Sequence, residues 1–301
     1  MEYRTLTGTD LKVSALAMGC ARLGSWWQGR RDVDGRNALI EAMELGINLF
    51  DTSDSYGRGR SERLLGQAIK SVRPQMVVVT KCGLLKTPSS FDRAMRTVGK
   101  TRSPRMAGSK MSQILRERRC YSPPYIEASA EASLQRLGTD YIDIFLLHSP
   151  PAEVLRRGEF LDALERLRRQ GKARHVGISA RDSETARQAV DLAGVNCVQA
   201  DVSVCRESAA TLGEAALARG VGLLARRPFE SGRGLEALDP AEREHTLRAC
   251  LRYVLAVPGV GSVVTGMTRP GHVSANVAVL TDSVGAAESN LEVARRYICH
   301  G

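Results

Sequence analysis

Short apolar runs rich in β-branched residues alternate along this chain with longer stretches whose apolar positions recur every three to four residues. The first pattern reads as strand and the second as amphipathic helix. Strands are predicted at Ala15–Met18, Ile47–Phe50, Met76–Thr80, Ile142–Leu147, His175–Ile178, Cys197–Ala200, Gly222–Ala225 and Ser262–Thr265. Helices are predicted at Val33–Leu45, Ser61–Ile69, Tyr125–Leu137, Glu159–Gln170, Ser183–Ala193 and Ser208–Arg219. All but the second of these meet a glycine stop, at Gly46, Gly138, Gly171, Gly194 and Gly220. Ser61–Ile69 carries Leu64, Leu65, Ala68 and Ile69 on one face. Tyr3–Leu6 and Lys12–Val13, around Gly8-Thr9-Asp10, form a small hairpin ahead of this pattern. Strand, helix and glycine in repetition imply an α/β fold with a parallel sheet, and eight such strands fit a (β/α)8 TIM barrel. No linker or low-complexity tract interrupts it, so residues 1–301 are expected to form a single barrel domain.

One segment breaks the rhythm. Lys86–Arg119 is too long for an ordinary connection and follows the third strand, so residues 85–120 are expected to be a long basic insertion loop on the catalytic rim. It holds ten Lys or Arg against Asp92 and Glu117, and so carries +8 of the net +10. The charge is therefore local. Three readings stand: a solvated loop, a lid favouring an anionic substrate or cofactor phosphates, or a nucleic-acid surface. The last lacks support, because Phe91 is the segment's one aromatic and no nucleic-acid fold motif is present. Gln113–Arg119 is a candidate short helix.

Composition is that of an ordinary globular protein, 43% hydrophobic and 25% charged. The N-terminus shows no basic-then-apolar leader and no stretch is apolar enough to span a bilayer, so a cytoplasmic protein without a membrane partner is expected. Seven Cys are odd in number and scattered, with no Cys-x-x-Cys. That argues against a disulfide framework or a metal site and for reduced, packed thiols.

Four polar residues stand where apolar runs end: Asp51 after Ile47–Phe50, Lys81 after Met76–Val79, His148 after Ile144–Leu147, and Tyr56 within Asp-Thr-Ser-Asp-Ser-Tyr-Gly. In a parallel barrel the strands' C-terminal ends converge on one rim, so these residues would meet. A cation such as Lys81 lowers the pKa of a neighbouring phenol, Asp51 would keep Lys81 charged, and His148 would hold a substrate oxygen beside Tyr56. The set suits protonation of an oxyanion as hydride reaches its carbon. It contains neither a Ser or Cys nucleophile arrangement nor a metal-ligand cluster. Taken alone, each residue would more often be a buried ion pair or a satisfied core histidine.

With these residues in view the chain resembles the aldo-keto reductases. The matching stretches are Met1–Gly24, Phe50 to Gly57 with Arg60-Ser61-Glu62 and Leu65-Gly66, Val79-Thr-Lys81, Ser133 to Asp143, and Leu147-His148-Ser-Pro150. Val176-Gly-Ile-Ser179, Gln199 and Val264-Thr-Gly266 through Asn276 complete the likeness, which covers nearly the whole chain outside Lys86–Arg119. The resemblance implies a nicotinamide cofactor, NADP rather than NAD, lying across the rim without a Rossmann domain. It implies Tyr56 as general acid, tuned by Lys81 and Asp51, and His148 orienting the carbonyl. It gives Ser179 and Gln199 to the carboxamide. Gly266, Met267, Thr268, Arg269, His272 and Asn276 fall to the adenosine-phosphate end.

The sequence departs from the family pattern in places. Ala180 stands where an Asn usually follows the carboxamide Ser, and Arg226, followed by Arg227, where many members have an aromatic that stacks on the nicotinamide. Arg226 could stack by its planar face with a carboxylate such as Asp201 compensating its charge, or could turn toward the pyrophosphate. Gly266 and His272 stand at positions where some members use Lys and Arg for the 2′-phosphate, leaving Arg269 to supply the charge. Trp26 and Trp27 follow the first strand and could line an apolar pocket for an aromatic ketone, or cover the rim. The expected function is reduction of a small-molecule aldehyde or ketone. The alternative is a nicotinamide-binding regulatory subunit on the same barrel, with little turnover.

Overall fold

The computed structural model describes residues 1–24, 32–86, 88–98, 118–206, 208–232, 235–267, 271–281, 292 and 295–299. Eight strands close into a parallel barrel: β3 (Leu16–Gly19), β4 (Leu49–Asp51), β5 (Val77–Cys82), β6 (Ile142–His148), β7 (Ala173–Ser179), β8 (Cys197–Asp201), β9 (Gly222–Arg226) and β10 (Val260–Gly266). They pair in chain order, and β10 closes onto β3. These are the eight strands predicted, several extended toward the C-terminal rim so that Asp51, His148, Ser179 and Arg226 each end a strand.

Alternation along the strands separates two apolar layers. Inward-facing Ala17, Leu49, Val77, Val79, Ile144, Leu146, Cys197, Leu224 and Val264 form one cluster inside the barrel. Leu6, Leu11 and Val13 join it from the hairpin β1 (Tyr3–Thr5) and β2 (Lys12–Ser14), which plugs the N-terminal end. Outward-facing residues such as Phe50, Val78, Phe145 and Val176 form the larger core under the helices.

Those helices are α1 (Asp32–Glu44), α2 (Arg60–Ile69), α3 (Pro88–Val98), α4 (Pro123–Leu137), α5 (Ala152–Arg157), α6 (Leu161–Arg169), α7 (Ser183–Val190), α8 (Ala209–Ala218), α9 (Pro240–Ala256) and α10 (His272–Thr281). Local chemistry explains their ends. Pro123 opens α4, and left-handed Gly138 closes it by donating to the Leu134 carbonyl at 2.8 Å. The Asp182 carboxylate caps α7 through the Thr185 N–H. The α9 helix escaped the periodicity reading, yet Asp239-Pro240 is a start signal, and the Asp239 carboxylate accepts from the N–H groups of Ala241 and Glu242.

Two expectations need correction. The basic insertion is not simply a loop: it begins as α3, whose Phe91, Ala94, Met95 and Val98 already have helical spacing in the sequence. Its charge suggests a loop, but charge on one face does not prevent a helix from burying the other, and Ala94 is fully buried. The stem is zipped shut, with Leu84 bridged to Arg119 and the Cys120 N–H donating to the Gly83 carbonyl. The candidate helix Gln113–Arg119 lies outside the described residues except for Arg118 and Arg119, which are not helical. Second, the cysteines are not all reduced. Cys205, after β8, is bonded to Cys299, tying that loop to the terminal turn Arg295–Cys299. A separation of 94 residues makes this pairing a property of the tertiary fold, invisible to spacing. The other five are buried free thiols.

Candidate active site

The strands lift their polar ends above the apolar interior in phase with it. Asp51 lies two residues beyond Leu49, Lys81 two beyond Val79, His148 two beyond Leu146, and Gln199 two beyond Cys197, so all four face inward. Lys81 is fully buried, and its Nζ donates to Asp51 Oδ1 at 2.6 Å and to the Thr52 carbonyl at 2.9 Å. Tyr56 comes from the turn between β4 and α2. That turn is pinned by the Thr52 N–H on the Val79 carbonyl at 2.8 Å and the Asp54 N–H on the Lys81 carbonyl at 3.1 Å. Gly57 has φ +52°, and a Cβ there would lie 2.8 Å from the Leu23 carbonyl oxygen. Only glycine lets the chain turn this sharply against Leu23–Gly24 while presenting Tyr56. The Tyr56 ring lies 5.2 Å from Lys81 Nζ and meets the His148 ring edge-on, 5.8 Å between centroids. The structure thus brings together all four residues singled out from the sequence.

Their electrostatics differ in one respect from the sequence reading. Burial pushes the Tyr56 phenol above its ordinary range, and Lys81 offsets this only in part, helped by Arg226 and opposed by Asp51. Tyr56 is therefore a protonated phenol at neutral pH, not a tyrosinate. Burial also disfavours the Lys81 ammonium, but Asp51 and Tyr56 together outweigh it and its pKa is raised. His148 is held well below its usual value by burial and then by Lys81, Arg226, Lys86 and Arg119. It is a neutral imidazole.

A second set of residues continues the network. Gln199 Nε2 donates to Asp51 Oδ1 at 2.8 Å, and Ser179 Oγ donates to Gln199 Oε1 at 2.9 Å. Arg226 donates to Asp201 Oδ1 at 2.7 Å, to the Ala180 carbonyl at 2.6 Å and to Ser179 Oγ at 3.3 Å. Asp201 thus balances its charge, as the sequence allowed. Arg227, with φ +55°, is more exposed and bonds Asp201 and Ser231. Gly266 ends β10 and is exposed, Met267 is buried, His272 opens α10 exposed to solvent, and Asn276 is half-buried. Trp26, Trp27, Thr268 and Arg269 lie outside the described residues.

Three residues around His148 have roles that the sequence does not reveal: Tyr121, which reads there as a possible substrate contact or as helix-start packing, and Ser53 and Asp54, which carry no role there. The Tyr121 hydroxyl donates to the carbonyls of His148 and Ser149, at 2.7 and 3.0 Å, holding the end of β6. Ser53 contacts the His148 ring, and Asp54 sits beside Ser53, both within the motif that flagged Tyr56. Among the described residues no group of His, Cys, Asp or Glu could hold a metal, and no helix is long and apolar enough to cross a membrane.

Residues 15–246 match the family model described as the aldo/keto reductase family. The chain is 28% identical to L-galactose dehydrogenase of Arabidopsis thaliana over 97% of its length and 92% of that protein. It is 29% identical to the NADH-specific methylglyoxal reductase of Escherichia coli over 97% of both chains. An aldo-keto reductase from Bacillus halodurans, solved in its holo form, superposes with a TM-score of 0.76 at 24% identity, covering 98% of this chain and 96% of that one.

Proposed function

The chain belongs to the aldo/keto reductase family, enzymes that use a nicotinamide cofactor, and from that premise we propose that it reduces an aldehyde or ketone to an alcohol with NADPH, Tyr56 acting as general acid. The observation that carries this is the meeting of Asp51, Tyr56, Lys81 and His148 on one rim, with Lys81 held at 2.6 Å by Asp51 and lying 5.2 Å from the Tyr56 ring.

The rim fits a nicotinamide. Gln199 and Ser179 form a buried donor–acceptor pair in which Gln199 retains a second amide N–H and a second lone pair for a carboxamide. Ala180 lacks the side-chain amide that the family resemblance leads one to expect there, and Arg226, neutralised by Asp201, brings donors and a planar face to that place. The bound cofactor supplies a hydride. The protein's own residues do the rest. Neutral His148 donates to the carbonyl oxygen and orients it. Tyr56 gives its hydroxyl proton to the forming alkoxide. The Lys81 ammonium stabilises the phenolate left behind, and Asp51, braced by Gln199, keeps Lys81 charged and in place. In the oxidative direction Tyr56 acts as base.

For the substrate, Trp26 and Trp27 would supply apolar surface for a bulky aromatic ketone. NADPH is favoured by Arg269 within the 266–276 segment, where a guanidinium suits a 2′-phosphate. The E. coli relative is NADH-specific by name, so both cofactors enter the test.

That test is fluorescence titration with NADPH and NADH, followed by turnover of a panel of aldehydes, aromatic ketones and quinones by wild type and Tyr56→Phe. Wild type is expected to bind NADPH more tightly and to reduce part of the panel. Tyr56→Phe is expected to bind equally well while turnover falls by about 10²–10⁴-fold. Failure of wild type to bind either nucleotide, or unimpaired turnover by Tyr56→Phe, overturns the reading.

A further inference from the structure

On the side of His148 that faces into the protein, Ser53 Oγ lies 3.1 Å from Nδ1. The same hydroxyl lies 3.3 Å from Asp54 Oδ1, 3.1 Å from Ser55 Oγ and 3.3 Å from the Lys81 carbonyl, and it accepts the Ser55 N–H at 3.2 Å. Ser53, Asp54 and His148 are all buried. A hydroxyl has one proton to give, and here several acceptors compete for it. A neutral imidazole also carries one ring proton, and the partner of one nitrogen decides which nitrogen holds it.

We propose that Asp54, acting through Ser53, sets the tautomer of His148 and thereby decides whether Nε2 can donate to a substrate carbonyl. This rests on the reading above that His148 faces the carbonyl oxygen. When Asp54 is a neutral acid its O–H donates to Ser53 Oγ, the Ser53 O–H donates to Nδ1, and the imidazole proton resides on Nε2. When Asp54 is ionised it draws the Ser53 O–H to itself by a charge-assisted bond. Ser53 Oγ then accepts from Nδ1–H, and Nε2 presents a lone pair. One proton leaves Asp54 for solvent, and the imidazole keeps one proton throughout. Ser53 and Asp54 are positioning residues, since neither touches the reacting atoms.

The surroundings poise this switch near neutrality. Burial raises the Asp54 carboxyl to about 7, with Glu62 on α2 adding to the rise and Arg136 on α4, Arg93 on α3 and the Ser53 bond opposing it. Cys82 on β5, Tyr125 on α4 and Tyr121 just before α4 also face it, all with raised pKa values and so uncharged. Asp54 Oδ2 is buried with no hydrogen-bond partner among the described residues, which costs an ionised carboxylate more than a neutral acid.

The test is nitrogen NMR of ¹⁵N-histidine-labelled protein, with His148 identified by the resonance lost in His148→Gln. Wild-type His148 is expected to carry its proton on Nε2 at about pH 6 and on Nδ1 at about pH 8. Asp54→Asn, whose amide does not ionise, should hold one tautomer across that range, and Ser53→Ala should uncouple the ring from pH. In turnover, kcat for reduction by wild type is expected to fall by up to about tenfold per pH unit above the midpoint, and Asp54→Asn to be flat. A wild-type tautomer that does not change between these pH values overturns the proposal, as does an Asp54→Asn titration like that of wild type. The wild-type titration decides the matter even where a variant folds poorly. It uses no substrate, so its failure is distinct from failure of the reductase reading.

Discussion

Asp51 stands level with Val79 across the β4–β5 pair, and Lys81, two residues farther along, reaches back to bind it at 2.6 Å. The pair is buried, so each member depends on the other to remain charged. Lys81→Met would strand the Asp51 carboxylate and is expected to cost about 3–5 kcal/mol of stability along with activity. Lys81→Met/Asp51→Asn removes the stranded charge and keeps an acceptor for Gln199. It should recover most of that stability and stay inactive, as urea unfolding alongside turnover would show.

Asp54 makes stability depend on pH with a definite sign. Its folded pKa, about 7, exceeds the ordinary aspartate value of 3.8, so the folded state holds the proton more tightly than the unfolded chain. The wild type should therefore lose stability as pH rises between these values, by at most about 4 kcal/mol at 1.36 kcal/mol per pKa unit. Asp54→Asn should lack this contribution, so the wild-type-minus-mutant difference in urea unfolding should change between about pH 5 and about pH 8. A constant difference would mean that Asp54 is ionised throughout.

Arg226 offers a different readout. Its removal leaves Asp201 with Arg227 and uncovers Ser179 and the Ala180 carbonyl. Arg226→Ala is expected to weaken nicotinamide binding by about 1 kcal/mol, several-fold in Kd, with little change in melting temperature. Fluorescence titration of both proteins measures this directly.

Gly57→Ala should separate placement from stability. The new Cβ meets the Leu23 carbonyl at 2.8 Å in a left-handed residue beside Tyr56. The expected cost is about 1–2 kcal/mol, with turnover falling further than stability because the Tyr56 hydroxyl moves. Calorimetry paired with kcat would check it.

The barrel is legible because strand alternation and glycine stops are local signals; Asp51, Lys81 and His148 are legible because each follows an apolar run, and Tyr56 because it lies in the motif that begins at Asp51. Helix α3 is the harder case: Phe91, Ala94, Met95 and Val98 are periodic, but the dense charge between them hides that signal. The Cys205–Cys299 bond and the reach of Arg226 back to Ser179 and the Ala180 carbonyl join residues distant in sequence and leave no trace in spacing, whereas Asp201 as the partner of Arg226 is legible. The downward shift expected for Tyr56 was wrong because the sequence showed the cation but not the depth of burial that outweighs it. Ser53 and Asp54 were in plain sight, inside the motif, but only the fold shows which ring they face.

The in-phase stacking of rim residues over the inner apolar layer makes each strand a ruler graduated in steps of two. Deleting one residue between Ile142 and His148 would turn the imidazole toward the helices, out of reach of Tyr56, with the composition of the barrel barely changed. Deleting two would keep it inward but draw it down by about 7 Å. Length changes should therefore be tolerated in connections other than the β4–α2 turn that carries Tyr56, and be lethal to chemistry within β4, β5 and β6, where even parity alone cannot rescue the site.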